Sequence, residues 1–255
     1  MFGSERLQII DLLKEGFARR GTKKFVTDVD DTILDMSLVY RTKMKEFAAV
    51  ISGFANTDQE EVFSLLVDAL NGLRRDYNVH PTIMQEAARV VALKYGLRYY
   101  ADERVVVATD RLMTIYEAAP PVFDGVHEAL QAIKATGIEV FAVSNADPSW
   151  TRNIKLPQNG LCDIFGDNVY CIPPYEFKDV QGWLRAFDCL GISPNEALCV
   201  EDNWRSGIAP LRQIGVPDRN LIRVKTDYDY ANHGKIDGIE EVEMFKDIVG
   251  TIIKV

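Results

Sequence analysis

The sequence of 255 residues lacks any run of about 18 apolar residues, the length that a membrane-spanning helix requires. Its first residues, Met-Phe-Gly-Ser-Glu-Arg, also lack the basic stretch and apolar core of a signal peptide. We therefore expect no association with a membrane and residence in the cytoplasm.

Histidine and cysteine are both scarce. The three histidines and four cysteines show no C-x-x-C or comparable spacing, so the sequence predicts no zinc site. Because free cysteine is among the residue types most often buried, we expect all four thiols to be buried. These residues are Cys162, Cys171, Cys189 and Cys199.

Positive charge is in deficit, with 29 Lys and Arg against 38 Asp and Glu and a formal net charge of −9. This balance disfavours binding to nucleic acid or to an anionic membrane surface. A small anionic substrate would need a local cation. With 47% hydrophobic and 26% charged residues, the chain is long enough for one large domain or for a core with a smaller module.

Strand and helix patterns alternate over most of the chain. This order predicts an α/β fold with a Rossmann-like core, in which right-handed crossovers join a parallel sheet and helices cover both faces. A helix that Ser4 caps and Gly21 ends precedes the first strand. The predicted strands are Phe25 to Thr27, Val140 to Val143, Val169 to Ile172, Ala197 to Val200 and, as the last one, Leu221 to Val224.

Between residues 35 and 118 the strand signal almost disappears. Four helical patterns follow one another there: Leu38 to Phe54, Asp58 to Tyr77, Pro81 to Tyr95 and Asp102 to Tyr116. We therefore predict an all-helical cap domain over residues 35–118. It is inserted into a catalytic core that residues 1–34 and 119–255 form.

Three predicted strands end in polar side chains, namely Asp28, the pair Ser144-Asn145 and the pair Glu201-Asp202. The carboxyl ends of parallel strands share one edge of the sheet, where open α/β sheets bind ligands. In an extended segment Asp30 projects to the same side as Asp28, and Asp31 points the other way. Carboxylates at this density need a cation or a shared proton, and their hard oxygens favour Mg²⁺.

A phosphate bound at this edge would also need positive charge and hydrogen-bond donors. Lys178 opens a predicted helix that follows the third strand by a short loop, so its ammonium can lean over the same edge. The hydroxyls of Thr32 and Ser144 supply further donors.

Each of these features also has a simpler interpretation. Asp28 and Asp30 can form a structural cation site or a solvated turn, and Ser144 can cap a turn. Lys178 can be a solvated lysine at a helix start, with Lys155 as a weaker substitute. The pair Glu201-Asp202 can be the N-cap of a helix that begins at Trp204.

Taken together, four motifs resemble those of the haloacid dehalogenase superfamily of aspartate-nucleophile phosphotransferases. In chain order they are Asp28-Val29-Asp30-Asp31-Thr32, the strand Val140 to Ser144, the lone Lys178, and Leu198-Cys199-Val200-Glu201-Asp202 with Gly207. Lys178 lies 24 residues before Asp202, close to the spacing common in the family. The sequence departs from the family pattern at Asp31, where glycine is most frequent, and after Lys178, where a proline often follows.

The resemblance implies a role for each matched residue. Asp28 would be the nucleophile that forms an aspartyl-phosphate, and Asp30 the general acid and then the base that activates water. The metal, Mg²⁺, would be held by Asp28, Asp202, Glu201 and the backbone carbonyl of Asp30. Lys178 would assist catalysis and bind the phosphoryl group together with Thr32, Ser144 and Asn145. The helical insertion would be a cap that closes over the site.

The function that follows is hydrolysis of a small phosphorylated metabolite by a Mg²⁺-dependent phosphatase. A phosphomutase of the same family, of the β-phosphoglucomutase kind, and a phosphate-binding regulator without turnover both stay open. Dehalogenation is disfavoured because Asp30 is retained. Any polar residue of the predicted cap can recognise the substrate or simply face solvent; the candidates are Tyr40, Arg41, Lys43, Arg74, Arg75, Arg98, Tyr99, Tyr100 and Arg111.

Overall fold

Six parallel strands form one sheet at the centre of the protein. The computed structural model describes residues 2–79, 82–226 and 232–254. The strands in chain order are β1 (Lys24–Thr27), β2 (Glu139–Ser144), β3 (Val169–Cys171), β4 (Ala197–Glu201), β5 (Leu221–Val224) and β6 (Glu240–Val242). They lie in the order β3-β2-β1-β4-β5-β6, so β1 has a partner on each side. The predicted α/β fold with a parallel sheet is confirmed.

Alternate residues of β1 point into different hydrophobic cores. Phe25 packs on one face with Leu13 and Phe17, which belong to the first helix, α1 (Phe2–Arg20). Val26 packs on the other face with Trp183 of the helix Val180–Leu190. Helices therefore cover both faces, as a doubly wound sheet requires. The prediction that Ser4 caps the first helix is wrong, because α1 already begins at Phe2.

The prediction that Leu221 to Val224 is the last strand is also wrong, because β6 follows it. β6 has three residues, of which Glu240 and Glu241 are acidic, so it has no hydrophobic pattern that would mark a strand. Buried arginines hold these acids instead: Arg20 contacts Glu240 at 3.3 Å, and Arg223 contacts Glu241 at 2.8 Å.

Four long helices follow β1 in the chain. They are α2 (Met36–Ala55), α3 (Gln59–Tyr77), α4 (Thr82–Lys94) and α5 (Glu103–Met113), and a short 3₁₀ turn, Thr114–Glu117, ends the series. We call residues 36–117 the helical segment. Asp58 caps α3 and Asp102 caps α5 by accepting backbone hydrogen bonds. The predicted helix start at Pro81 lies outside the described residues.

The helical segment has a hydrophobic core of its own. Its buried side chains, such as Phe47, Leu66 and Val91, form a cluster distinct from the two clusters on the sheet. Trp150 also belongs to this cluster, although it lies outside the segment. An inserted cap domain over residues 35–118 requires such a core, and that division of the chain stays a prediction.

The chain leaves and re-enters the sheet region at one place. Leu34 pairs with Val122 in an antiparallel bridge, and the amide of Asp35 donates to the carbonyl of Pro121 at 2.8 Å. Asp35 then caps α2 by accepting from the amide of Leu38. The two connections to the helical segment therefore run side by side, directly after the Asp28 turn.

The expectation that all four cysteines are buried is wrong. Cys199 of β4 is buried and Cys171 is half-buried, whereas Cys162 and Cys189 are exposed. Cys162 begins the short helix Cys162–Phe165, and Cys189 lies in the last turn of the helix Val180–Leu190, where neither position faces a core. No helix within the described residues combines the length and apolar character needed to cross a membrane.

Candidate active site

Asp28 lies at the carboxyl end of the central strand, in a compact turn. The turn is held by the backbone carbonyl of Val29, which accepts from the amides of Ile33 at 3.1 Å and Leu34 at 3.0 Å. These three apolar side chains are fully buried in the core beneath it. The hydroxyl of Thr32 donates to Oδ2 of Asp28 at 3.1 Å. The apolar residues thus anchor the turn, and its polar residues present Asp28 at the edge of the sheet.

Asp31, at the position where the family pattern that the sequence resembles has glycine, adopts a left-handed backbone conformation. Its φ is 61°, a region that glycine enters without cost and that Asp and Asn tolerate better than other residues. Its carboxylate accepts from the amide and the hydroxyl of Ser37 at 2.7 and 2.8 Å. Burial raises the pKa of Asp31 to about 6. Asp31 thereby ties the turn to the start of α2.

Three buried carboxylates come together beside one ammonium. Each of Asp28, Glu201 and Asp202 offers an oxygen that lies within 4.8 Å of the others. Nζ of Lys178 bonds to both Asp28 and Glu201, and it lies 3.5 Å from the carbonyl of Val143. Because three carboxylates share one lysine, the cluster carries an excess of negative charge when its groups are ionised.

The pKa values reflect this imbalance. Burial, together with the charges of Glu201 and Asp30, raises the pKa of Asp28 to about 7, although Lys178 opposes the shift. Burial and the neighbouring acids raise the pKa of Asp202 well above its ordinary value. Burial would lower the pKa of Lys178, but Asp28 and Glu201 outweigh it and raise that pKa. The acids therefore resist full ionisation without a further cation.

The donor set fits a hard divalent cation. The three groups offer carboxylate oxygens only, and no histidine or thiolate is among them. Mg²⁺ accepts one or two carboxylates of this kind and keeps several waters, whereas structural zinc sites use Cys and His. The predicted side-chain ligands Asp28, Glu201 and Asp202 are brought together, and the side chain of Asp30 lies outside the group.

Glu201 is seated against a glycine. A Cβ at residue 207 would overlap the carboxyl group of Glu201, so only glycine leaves room for this side chain. Asn203, and not Glu201 or Asp202, caps the following helix by accepting from the amides of Arg205 at 2.9 Å and Ser206 at 3.1 Å. The interpretation of Glu201-Asp202 as an N-cap pair is therefore wrong, and both acids belong to the carboxylate cluster.

Lys178 lies just before a helix and is buried. The prediction that it opens the helix is wrong, because the helix begins at Val180 and Asp179 caps it by accepting from the amide of Gly182 at 2.9 Å. The ammonium of Lys178 lies 4.9 Å from the ring centroid of Trp183. A solvated lysine at a helix start is thus excluded by its burial and its two carboxylate partners.

A second lysine holds Asp30. Nζ of Lys155 lies 2.6 and 2.7 Å from the two carboxylate oxygens of Asp30, and the side chain of Lys155 is fully buried. The ring of Trp150 lies 3.7 Å from this ammonium. The sequence offers Lys155 only as a substitute for Lys178, whereas in the structure each lysine pairs with its own aspartate. The available signal was its place one short helical stretch after Ser144, with Trp150 between them.

Ser144 and Asn145 are placed at the edge but differ in what they contact. The hydroxyl of Ser144 is buried and donates to Asp30 at 3.3 Å. Nδ2 of Asn145 donates to backbone carbonyls of the loop after β3, Ile172 at 3.2 Å among them, while Oδ1 accepts from Asn78 at 3.1 Å. Asn145 therefore links the loop to the helical segment, and phosphate binding by Asn145, Ser144 and Thr32 stays a prediction.

A cavity of about 820 Å³ lies between this edge of the sheet and the helical segment. Asp28, Asp30, Lys178, Glu201 and Asp202 all line it. Its volume is in the range of pockets that bind small molecules. The arrangement can hold a metal ion, present a nucleophilic carboxylate and orient a second one within the same enclosed space.

Residues 22–215 match the sequence model of the haloacid dehalogenase-like hydrolases. No curated protein sequence matches the chain. A haloacid dehalogenase-like hydrolase from Xanthomonas campestris superimposes with a TM-score of 0.71 at 20% identity and 91% coverage of both chains. L-2-haloacid dehalogenase from Xanthobacter autotrophicus gives 0.62 at 15% identity, with 92% of this chain and 99% of that one covered. A putative β-phosphoglucomutase from Thermotoga maritima gives 0.61 at 15% identity, with 92% and 100% covered. At these identities the likeness shows a shared fold.

The contact between Gly207 and Glu201 predicts the effect of a single methyl group. Gly207→Ala would push the Glu201 carboxylate away from Lys178, so we expect a loss of about 2 kcal/mol in the free energy of unfolding. In the same variant, Mg²⁺ should no longer increase the free energy of unfolding. Urea unfolding with and without the cation measures both. The control is Gly53→Ala in α2, where a Cβ meets no atom within 4 Å and stability should rise slightly. Equal unfolding free energies and equal responses to Mg²⁺ in the two variants would contradict the proposed packing.

The raised pKa values predict how pH affects cation binding. Without a metal, Asp28 and Asp202 bind more protons when folded than when unfolded, so stability falls as pH rises from about 4 to 7. A cation relieves this loss only when the acids are ionised. We expect Mg²⁺ to raise the melting temperature more at about pH 8 than at about pH 5.

The matched variant for this experiment is Asp202→Asn. Removing one buried charge should raise the melting temperature of the metal-free protein at the higher pH and abolish the response to Mg²⁺. A Mg²⁺ effect of equal size at both pH values, or one that survives in Asp202→Asn, would count against the cluster as the metal site.

The ion pair between Lys155 and Asp30 predicts energetic coupling. Lys155→Met leaves a partly buried carboxylate without its partner, and we expect a loss of about 2 kcal/mol in unfolding free energy. In the double variant, which also carries Asp30→Asn, the loss of unfolding free energy should be at least about 1 kcal/mol smaller than the sum of the losses in the two single variants. Urea unfolding of the cycle measures this coupling. In Lys14→Met the exposed pair with Asp11 is broken, and the change should stay below about 0.5 kcal/mol. Strict additivity would refute the coupling.

Proposed function

The chain belongs to the haloacid dehalogenase-like hydrolase family, and we propose that it is a Mg²⁺-dependent phosphatase of a small phosphorylated metabolite. The observation that carries this proposal is the group of three buried carboxylates around Lys178, with a further carboxylate, Asp30, two residues beyond the nucleophile position. Such a group suits a reaction in which negative charge enters the site and must be neutralised.

Asp28 is the proposed nucleophile. One of its carboxylate oxygens attacks the phosphorus of the ester, the bond to the leaving oxygen breaks, and an aspartyl-phosphate forms. Lys178 and Thr32 hold the two oxygens of this carboxylate, so it meets the phosphorus in a defined orientation. Lys178 also supplies positive charge beside the entering phosphoryl group.

Asp30 is the proposed proton carrier. When protonated it gives its proton to the leaving oxygen, which departs as an alcohol. As a carboxylate it then takes a proton from the water that attacks the aspartyl-phosphate, which releases phosphate and restores Asp28. Lys155 and Ser144 bind the Asp30 carboxylate and orient it for both steps.

The carboxylate cluster is the proposed binding site for the cation. Asp28, Glu201 and Asp202 would hold it, and the family resemblance adds the backbone carbonyl of Asp30. When bound, Mg²⁺ offsets the repulsion between carboxylate and phosphate and stabilises the charge that develops on the phosphoryl oxygens.

Two features favour ester hydrolysis over dehalogenation. A halide leaves carbon without needing a proton, so a dehalogenase has no use for an acid at Asp30, whereas an alkoxide leaving group requires one. The excess of carboxylates beyond the nucleophile also calls for a metal, which suits a phosphate substrate better than a haloacid.

Replacing Asp28 by Asn provides the direct test of the nucleophile. We expect the wild type to release phosphate from p-nitrophenyl phosphate only with Mg²⁺, and Asp28→Asn to lose about 1,000-fold or more of that rate because the amide cannot attack phosphorus. Asp11→Asn, an exposed site on α1, is the matched control and should retain the wild-type rate.

Three outcomes would overturn the proposal. Turnover that survives in Asp28→Asn excludes this nucleophile. Chloride release from 2-chloropropionate, without phosphate release from esters, identifies a dehalogenase. Tight binding of phosphate esters with no hydrolysis in the wild type identifies a binding protein on this fold.

A further inference from the structure

We infer that the substrate carries a second anionic group, a carboxylate or a second phosphate, which arginines of the helical segment bind; the inference rests on the proposed phosphatase function. The phosphate ester would lie at the acidic edge of the sheet, and the second anion would reach the opposite wall of the same cavity.

The structure selects among the candidate recognition residues of the helical segment. Of the nine that the sequence offers, Tyr40, Arg41, Arg74 and Arg75 line the cavity. The other five are not among its lining residues; they are Lys43, Arg98, Tyr99, Tyr100 and Arg111. The selected arginines come from two helices, α2 and α3, that pack against each other.

The two walls of the cavity carry opposite charge. Within the part of the chain that the structure describes, the helical segment lines the cavity with three arginines and only one acid, Asp68, which is exposed. The edge of the sheet presents the carboxylates Asp28, Glu201 and Asp202 instead. In a chain with a net charge of −9, three arginines on one wall of an enclosed space form a local site for an anion.

Arg74 is held in place before any ligand arrives. Its guanidinium lies 5.1 Å from the ring centroid of Tyr40, and the Tyr40 hydroxyl shares hydrogen bonds with Arg74 and Tyr116. The ring of Tyr116 packs edge-on against Trp150 at 5.2 Å. A guanidinium presents five N–H donors in a rigid fork that matches a carboxylate or a phosphate, so a fixed orientation favours bidentate binding.

Apolar side chains also line the cavity. Those that the helical segment contributes to the lining include Met36, Met44, Phe63, Val67 and Leu70. They suit the carbon body of a ligand and leave its polar ends to the metal site and the arginines. The substrate class is therefore a phosphate monoester whose carbon body carries a second anion.

Matched pairs of esters test the inference. 3-Phosphoglycerate and glycerol 3-phosphate differ by a carboxylate in place of an alcohol, and fructose 1,6-bisphosphate differs from fructose 6-phosphate by one phosphate. We expect kcat/KM to be about tenfold or more higher for the member with the additional anion in at least one pair. The pair that shows the difference identifies the second anion as carboxylate or phosphate.

Variants of the wall locate the effect. In Arg74→Gln the preference within the responding pair should fall about tenfold, and Arg74→Lys should recover part of it. Arg41 of α2 is exposed, so Arg41→Gln tests the same wall of the cavity with little effect on the stability of the protein. Arg111→Gln is the matched control, because this arginine lies on the helical segment outside the cavity and its loss should leave the preference as in the wild type.

The outcomes separate this inference from the function on which it rests. Equal kcat/KM within both pairs, or a preference that survives in Arg74→Gln and Arg41→Gln, overturns the inference and leaves the phosphatase in place. Failure of the protein to hydrolyse any of the four esters or p-nitrophenyl phosphate overturns the proposed function itself.

Discussion

The ammonium of Lys178, shared between Asp28 and Glu201, is the interaction on which the geometry of the site depends. Two adjacent parallel strands, β1 and β4, deliver acids to one edge of the sheet, and Coulomb repulsion would drive those acids apart if no cation lay between them. Lys178 neutralises only part of this charge, and the remainder raises the pKa of Asp28 and Asp202. Lys178 therefore leaves part of the negative charge of the carboxylates unneutralised, and a divalent cation can neutralise the remainder.

The second lysine separates two carboxylates that the sequence places only two residues apart. Lys178 holds Asp28, and Lys155 holds Asp30. Since each carboxylate has its own partner, the two are oriented independently and can perform different steps on one substrate. Trp150 adds a connection, because its ring contacts Lys155 while its Nε1 donates to the carbonyl of Ala118 at the return of the helical segment.

Much of this organisation could be predicted, and the exceptions have physical reasons. Buried strands such as Ala197–Glu201 have apolar runs that end in acids, so both the strand and its site residues are visible in the sequence. β6 is not visible, because distant arginines and not hydrophobic burial hold its glutamates. The role of Lys155 is underestimated for a related reason: the ion partner that explains a buried lysine lies 125 residues away in the chain. The role of Asp31 depends on a backbone angle, which a residue pattern does not report.

The position of the helical segment follows from polar contacts as much as from packing. Asn78 donates to Asn145 and to the carbonyl of Glu176, so the end of α3 is bonded directly to the edge of the sheet that holds the acids. α3 also carries Arg74 and Arg75 into the cavity. Because one helix both contacts the acidic edge and supplies two of the arginines, the fold fixes the two charged groups of the cavity relative to each other. Under the proposal, a substrate that bridges them must therefore match their separation as well as their charge.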